Sequence, residues 1–297
     1  MEVSSKNWQI EARLLKELVK MQKDFSEENK SLFSLYQYKK TPMILVQGAN
    51  FAIFGKTSAN DKLSVMKTRF DLPIRETQYT RSNFGECNTL EEMFKEFNVA
   101  KSNARSPITI VPNTKEKVIN FLFKNKWERV SAIPFEEEVA RPNAKIFEKF
   151  FDVAVTINPQ NLLKVLNKVR KFKFCKLEVR VRDEKSKELL EEPEFRIYGA
   201  HLTNPIDHTV LIKLTMSVEI TFHDEFKDST NHLPDAISTV VDMTYLRRIL
   251  NLISTDRCQV KLTRANQLKI DYSTKFNNWT VLLAQIVSFE NQDVFRY

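Results

Sequence analysis

The sequence predicts an α+β fold of two similar domains, each with helices on one side of antiparallel sheets. Three observations predict it. Two stretches far apart in the chain carry an apolar stripe of helical period with Lys and Arg on the opposite side. Each opens a series of short strand-like runs, a shorter amphipathic helix and further strand-like runs. An acidic, proline-bearing segment separates the two series.

The first basic helix is expected at residues 11–28. Leu14, Leu18, Met21 and Phe25 follow the 3.6-residue period, and Arg13, Lys16, Lys20 and Lys23 project from the other side. Strands are then expected at 32–38, 43–54 and 63–72, rich in aromatic and β-branched residues and interrupted at 39–42 and 58–61. A short helix follows at 89–97, with Asn88 as its cap and Leu90, Met93, Phe94 and Phe97 on one face. Strands at 108–111, 118–123 and 127–133 complete the first domain, 1–135.

Residues 136–150 read as a linker, within an acidic stretch containing Glu136, Glu137, Glu138, Pro134 and Pro142. The second domain, 151–297, repeats the order. A strand at 153–157 leads to Asn158, a helix cap, and Pro159 at the favoured first helical position. In that helix Leu162, Val165, Leu166 and Val169 form the apolar face, and Lys164, Lys168 and Lys171 lie roughly 180° away. No acid occurs between Asp152 and Glu178. Strands are expected at 175–182, 195–202, 210–215 and 218–222, with a charged hairpin tip over 183–194. Asp242 caps a second short helix whose Leu246, Ile249, Leu250 and Ile253 face inward and whose Arg247, Arg248 and Asn251 face outward. Strands at 258–263, 267–272 and 279–286 finish the chain.

With 297 residues and 42% hydrophobic content, two domains of about 150 residues can each bury a core. A net charge of +8 favours a polyanionic partner if the basic residues are concentrated, as the two long helices would concentrate them. A row of lysines opposite an apolar stripe is also how a solvated face looks, so the weight falls on its recurrence. No apolar run approaches membrane-spanning length and no secretory leader is apparent, which predicts an intracellular protein without a membrane partner. Cys87, Cys175 and Cys258, odd in number and widely spaced, fit reduced, half-buried thiols.

No catalytic constellation emerges, so a non-enzyme without cofactor or metal is expected. Gly55, Lys56 and Thr57 form a GKT triplet, but Asn50 stands where a phosphate-binding loop needs Gly, and residues 51–54 read as strand. His201, His208, His223 and His232 lack the spacing of a metal site. His223, Asp224 and Glu225 are consecutive, so on a strand they point to opposite faces. Two rival classes remain open. One is a single-strand nucleic-acid-binding protein or viral nucleoprotein using some of the 22 phenylalanines as stacking platforms; the other is a nuclease assembled from Asp207, Asp224 and Asp228.

The run VVDMTYLRRILNLISTDRCQVKLTRANQLKIDYSTKFNNWTVLLAQI is similar to the final helix, hairpin and closing strand of a DNA sliding-clamp domain. VAVTINPQNLLKVLNKVRKFKFCKLEVRV is similar to the helix-bearing opening of one. The chain therefore resembles the sliding-clamp family, typified by proliferating cell nuclear antigen and including checkpoint-clamp subunits. The resemblance is clear over about half the chain, and the first domain shares it in order of elements.

That resemblance implies helices facing duplex DNA and a processivity role in DNA replication or repair, in the nucleus or at a viral replication site. The implied DNA-binding residues are Arg13, Lys16, Lys20 and Lys23 in the first domain and Lys164, Lys168, Lys171, Arg247 and Arg248 in the second. Glu91, Glu92 and Glu96, offset only by Lys95, exclude the first short helix from that role. The linker would border a groove for peptides of a DNA polymerase or repair enzyme, with Ile133, Phe135, Val139, Ile146 and Phe147 as apolar contacts. Homo- or hetero-oligomers would pair sheet edges near 267–272 or 63–72.

Overall fold

A computed structural model describes residues 8–25, 32–38, 41–47, 51–57, 69–74, 87–113, 115–135, 151–200, 210–213, 218–223, 234–262 and 267–284. Its contacts divide the chain into two units, Met1–Ala144 with Ser273–Trp279, and Lys145–Tyr272 with Thr280–Tyr297.

The first unit runs β1 (Trp8–Glu11), α1 (Ala12–Phe25), β2 (Leu32–Tyr38), β3 (Thr41–Gln47), β4 (Phe51–Thr57), β5 (Arg69–Pro73), α2 (Leu90–Phe97), β6 (Pro107–Asn113), β7 (Val118–Phe123), β8 (Lys126–Ser131) and β9 (Ile133–Phe135). One antiparallel sheet has the order β1-β6-β7-β8, and a second group has the order β4-β3-β2-β5-β9. The single expected strand 43–54 is a pair, β3 and β4, in antiparallel register from Met43↔Lys56 to Gln47↔Ala52. The expected strand 127–133 is also two, because the chain leaves one sheet after Ser131 and joins the other at Ile133.

Helix α1 buries Leu14, Leu15, Leu18 and Met21, as its apolar stripe requires. Its first backbone donors find partners outside the helix: Ala12 N–H donates to Ser106 O at 3.0 Å and Arg13 N–H to Ala104 O at 2.8 Å. Helix α2 is capped by Thr89, not Asn88; Thr89 Oγ1 accepts from Glu92 N–H at 3.2 Å, while Glu92 Oε2 accepts from Asn88 N–H at 2.6 Å. It ends at Asn98, whose left-handed backbone (φ 45°) lets its N–H reach Phe94 O and Lys95 O.

The second unit runs β10 (Val153–Ile157), α3 (Pro159–Lys168), β11 (Phe174–Arg182), β12 (Leu189–Ala200), β13 (Val210–Lys213), β14 (Glu219–Phe222), β15 (Ala236–Asp242), α4 (Met243–Leu252), β16 (Cys258–Leu262), β17 (Gln267–Ser273) and β18 (Asn277–Ala284). Its sheets have the orders β13-β12-β11-β15 and β14-β10-β16-β17-β18, again antiparallel. The repeat is therefore topological. In each unit the strand before the basic helix pairs with the first strand after the short helix, giving β1-β6-β7-β8 and β10-β16-β17-β18. The strands between the helices share an order too, β4-β3-β2-β5 and β13-β12-β11-β15.

Other expectations need correction. β1, β9 and β15 were not separate strands in the sequence reading, and β12 begins at Leu189, which shortens the hairpin tip to 183–188. Of the segments proposed as pairing edges, β17 lies between β16 and β18, and the described part of 63–72, which falls in β5, lies between β2 and β9; residues 63–68 lie outside the described residues. The sequence division also placed Ser273–Trp279 in the second domain, whereas its contacts belong to the first unit. There, Asn277 Nδ2 donates to Gln9 O at 2.9 Å, and the Trp279 ring fills the space that a side chain at Gly55 would occupy. All three cysteines are free thiols and buried, Cys87 the least deeply. No described helix is long and apolar enough to cross a membrane.

Candidate nucleic-acid interface

Side chains capable of gripping phosphate must be cationic, solvent-facing and not already neutralised by a neighbouring acid. On α1, Arg13, Lys16 and Lys20 are exposed, opposite the buried stripe. Lys23 Nζ lies 2.6 Å from Glu91 Oε1 and joins α1 to α2. The acids of α2 have internal roles. Glu91 takes Lys23, Glu92 closes the cap, and Glu96 accepts Lys126 Nζ at 2.9 Å.

In the second unit Asn158 Oδ1 accepts from Gln160 N–H at 2.9 Å and Asn161 N–H at 3.0 Å, which starts α3 with Pro159 in place. Leu162, Leu163 and Leu166 face inward, leaving Lys164 and Lys168 exposed one turn apart. Such a like-charged i,i+4 pair opposes the helix by a few tenths of a kcal/mol, which the cap and the buried stripe offset. The helix stops at Lys168, so Lys171 stands on the following turn and not on the helix, exposed all the same.

Asp242 Oδ1 accepts from Thr244 N–H at 2.7 Å and starts α4, which buries Leu246, Ile249 and Leu250. Helices α3 and α4 run antiparallel, since Gln160 Nε2 donates to Ile253 O at 3.3 Å at one end and Met243 N–H donates to Lys173 O at 2.9 Å at the other. Arg247 and Arg248 are half-buried, less open than expected. Arg247 Nε donates to Asn167 Oδ1 at 3.0 Å, which fixes its guanidinium against α3.

Lys164, Lys168, Lys171 and Arg247 are thus carried by one helix pair and its adjoining turn. Sequence reasoning passed over Arg170 and Lys173, both exposed in the same turn. Their signal was the acid-free segment from Lys168 to Lys173, in which four of six residues are basic. In the first unit, exposed Lys101 and Arg105 flank the loop that receives the start of α1. Flexible cations of this kind pair with phosphate oxygens without reading bases.

Ile133 and Phe135 lie on β9, in register with Asp71 and Arg69 of β5, while Val139, Ile146 and Phe147 fall outside the described residues. Asp207, Asp224 and Asp228 also fall outside the described residues. Among the described residues no cluster of His, Cys, Asp and Glu forms a set of metal ligands. Gly55, Lys56 and Thr57 lie within β4, a strand and not a phosphate-binding loop. Most phenylalanines whose side chains are described are buried, and Phe25, Phe151, Phe222 and Phe276 are half-buried.

No protein-family model matches the chain, and no curated protein matches its sequence. Solved structures do match. The DNA polymerase III beta subunit of Borrelia burgdorferi, solved in complex with a natural product, aligns over 96% of this chain and 66% of that chain, with 12% identity and a TM-score of 0.58. The DNA polymerase III beta chain of Streptococcus pneumoniae TIGR4 aligns over the same shares, with 12% identity and a TM-score of 0.56. The chain thus spans just under two thirds of the length of each. At that identity the likeness is one of fold, and it covers both units with their repeated strand order: this chain has the fold of the DNA sliding-clamp family.

Proposed function

We propose that this protein is a non-enzymatic accessory factor that holds a DNA polymerase or repair enzyme on duplex DNA through sequence-independent phosphate contacts. The observation that carries the reading is the surface of the second unit. Within a clamp fold, two antiparallel helices and their adjoining turn present Lys164, Lys168, Lys171, Arg247 and Arg248 without an intervening acid on either helix. Cations facing an evenly spaced phosphate backbone attract it without selecting a register, which permits sliding.

The protein would act as an oligomer, with itself or a related chain. β8 and β13 are edge strands of their sheets among the described residues, and Trp127 on β8 is 38% exposed, so these edges are where subunits would join.

Primer extension on a long template with the cognate polymerase tests the role. Adding the protein is expected to lengthen products without changing the rate of initiation. Unchanged product length would overturn the reading, and turnover of nucleotide or nucleic acid by the purified protein alone would replace it with an enzymatic one.

A further inference from the structure

The two helical surfaces differ in charge. In the first unit α1 carries Arg13, Lys16, Lys20 and Lys23 against Glu17 and Asp24, and α2 carries Lys95 against Glu91, Glu92 and Glu96. These helices have no net charge. In the second unit α3 and α4 carry Lys164, Lys168, Arg247 and Arg248 and no acid.

The basic surface also continues beyond α3. Arg170, Lys171 and Lys173 are exposed on the turn into β11, and the next acid in the chain is Glu178. This turn is anchored. Val169 and Phe172 are buried, and Phe172 N–H donates to Val169 O at 3.0 Å. The Phe172 ring rests where Gly199 of β12 has no side chain; a Cβ there would stand 2.6 Å from the ring. Lys173 O accepts from Met243 N–H at 2.9 Å, tying the turn to the start of α4. Lys171 Nζ lies 5.2 Å from the Phe172 ring centre and Lys173 Nζ 5.3 Å from that of Phe174, so the buried rings support the exposed ammonium groups.

We propose that the second unit carries the electrostatic grip on duplex DNA and that the grip extends onto this turn, where Arg170, Lys171 and Lys173 contact phosphates. The proposal rests on the DNA-holding reading above. Charges on a helix pair of zero net charge cancel within about one Debye length, roughly 8–10 Å at physiological salt, whereas a helix pair that carries basic residues and no acid of its own keeps a net attraction.

Duplex affinity of the full chain, measured across a salt titration, tests it with two charge-matched variants. Arg170→Glu with Lys173→Glu is expected to lower affinity on the order of tenfold or more and to reduce the salt slope by about two units. Lys16→Glu with Lys20→Glu is expected to lower both affinity and salt slope by clearly less than the turn variant does, about twofold to threefold in affinity. Arg170→Gln with Lys173→Gln, which adds no repulsion, is expected to reduce the slope by the same amount as the glutamates. Equal losses in the first-unit and turn variants would overturn the inference while leaving the DNA-holding reading intact. Failure of the parent to bind duplex at any salt would remove that reading, and the inference with it.

Discussion

Lys23 Nζ sits 2.6 Å from Glu91 Oε1, joining the last turn of α1 to the first turn of α2 across 68 residues of sequence. Both side chains remain more than a third exposed, so the pair contributes modestly, about 0–1 kcal/mol. Lys23→Ala is therefore expected to shift the melting temperature only slightly and to leave the salt slope of DNA binding unchanged. A loss of one full unit of slope would mean that Lys23 leaves Glu91 for phosphate.

Glu178 supplies a pH dependence. Its side chain is 1% exposed on β11 and accepts Lys176 Nζ at 2.6 Å, Arg180 Nε at 2.9 Å and Tyr198 OH at 3.1 Å. Burial alone would lift its carboxyl, but the Lys176 charge and the hydrogen bonds from Lys176 and Arg180 hold it below the ordinary 4.5. A depressed carboxylate adds stability that is complete above its unfolded value and is lost as pH falls through its folded value. Glu178→Gln is expected to cost about 1–3 kcal/mol at pH 7 and to flatten the fall in stability below pH 4.5. Denaturant melts at pH 7 and in that acid range check both; parallel curves for parent and variant would contradict the assignment.

Gly55 has no freedom to gain a side chain. A Cβ at this position would lie 2.5 Å from Trp279 Cζ3, and the indole is 1% exposed and cannot swing into solvent without opening the core. Gly55→Ala should therefore destabilise the protein by about 1–3 kcal/mol, read as a lower melting temperature. An unchanged melt would show that the ring has room to move.

The thiols are expected to be silent. Burial, reinforced by the neighbouring Glu128 charge, pushes Cys87 up to about 12, and burial pushes Cys258 up to about 12 and Cys175 upward as well. A thiol-reactive probe at pH 8 is predicted to label none of the three in the folded protein and all three in denaturant. Rapid labelling of the native protein would place at least one thiol at the surface.

Features encoded by neighbours in sequence were legible before the structure. Asn158 with Pro159, and Asp242, start α3 and α4 as expected, because a cap acts within three residues. The apolar stripes of α1, α3 and α4 were legible for the same reason. What escaped was non-local. β1 is short and is made a strand by pairing with β6, with Trp8 opposite Ile110. β15 gains its place from β11, with Val241 opposite Cys175. The cap of α2 fell on Thr89, whose Oγ1 accepts from Glu92 N–H, while the Glu92 carboxylate reaches one residue further back and accepts from Asn88 N–H. On the candidate interface, the exposure of Arg13, Lys16, Lys20, Lys164 and Lys168 followed from helical period. The capture of Lys23 by Glu91 and of Arg247 by Asn167 did not, since each partner comes from a distant element.

Salt-dependent binding to duplex DNA of unrelated sequences, compared between the parent and Lys164→Ala/Lys168→Ala/Lys171→Ala, tests the central claim most directly. All three residues are exposed and lie off the apolar faces, so the fold should persist. The parent is predicted to bind every sequence with similar affinity, and the variant to lose affinity uniformly, with a salt slope lower by about one unit for each contact removed. A variant that binds duplex as tightly as the parent, with the same slope, would contradict the account.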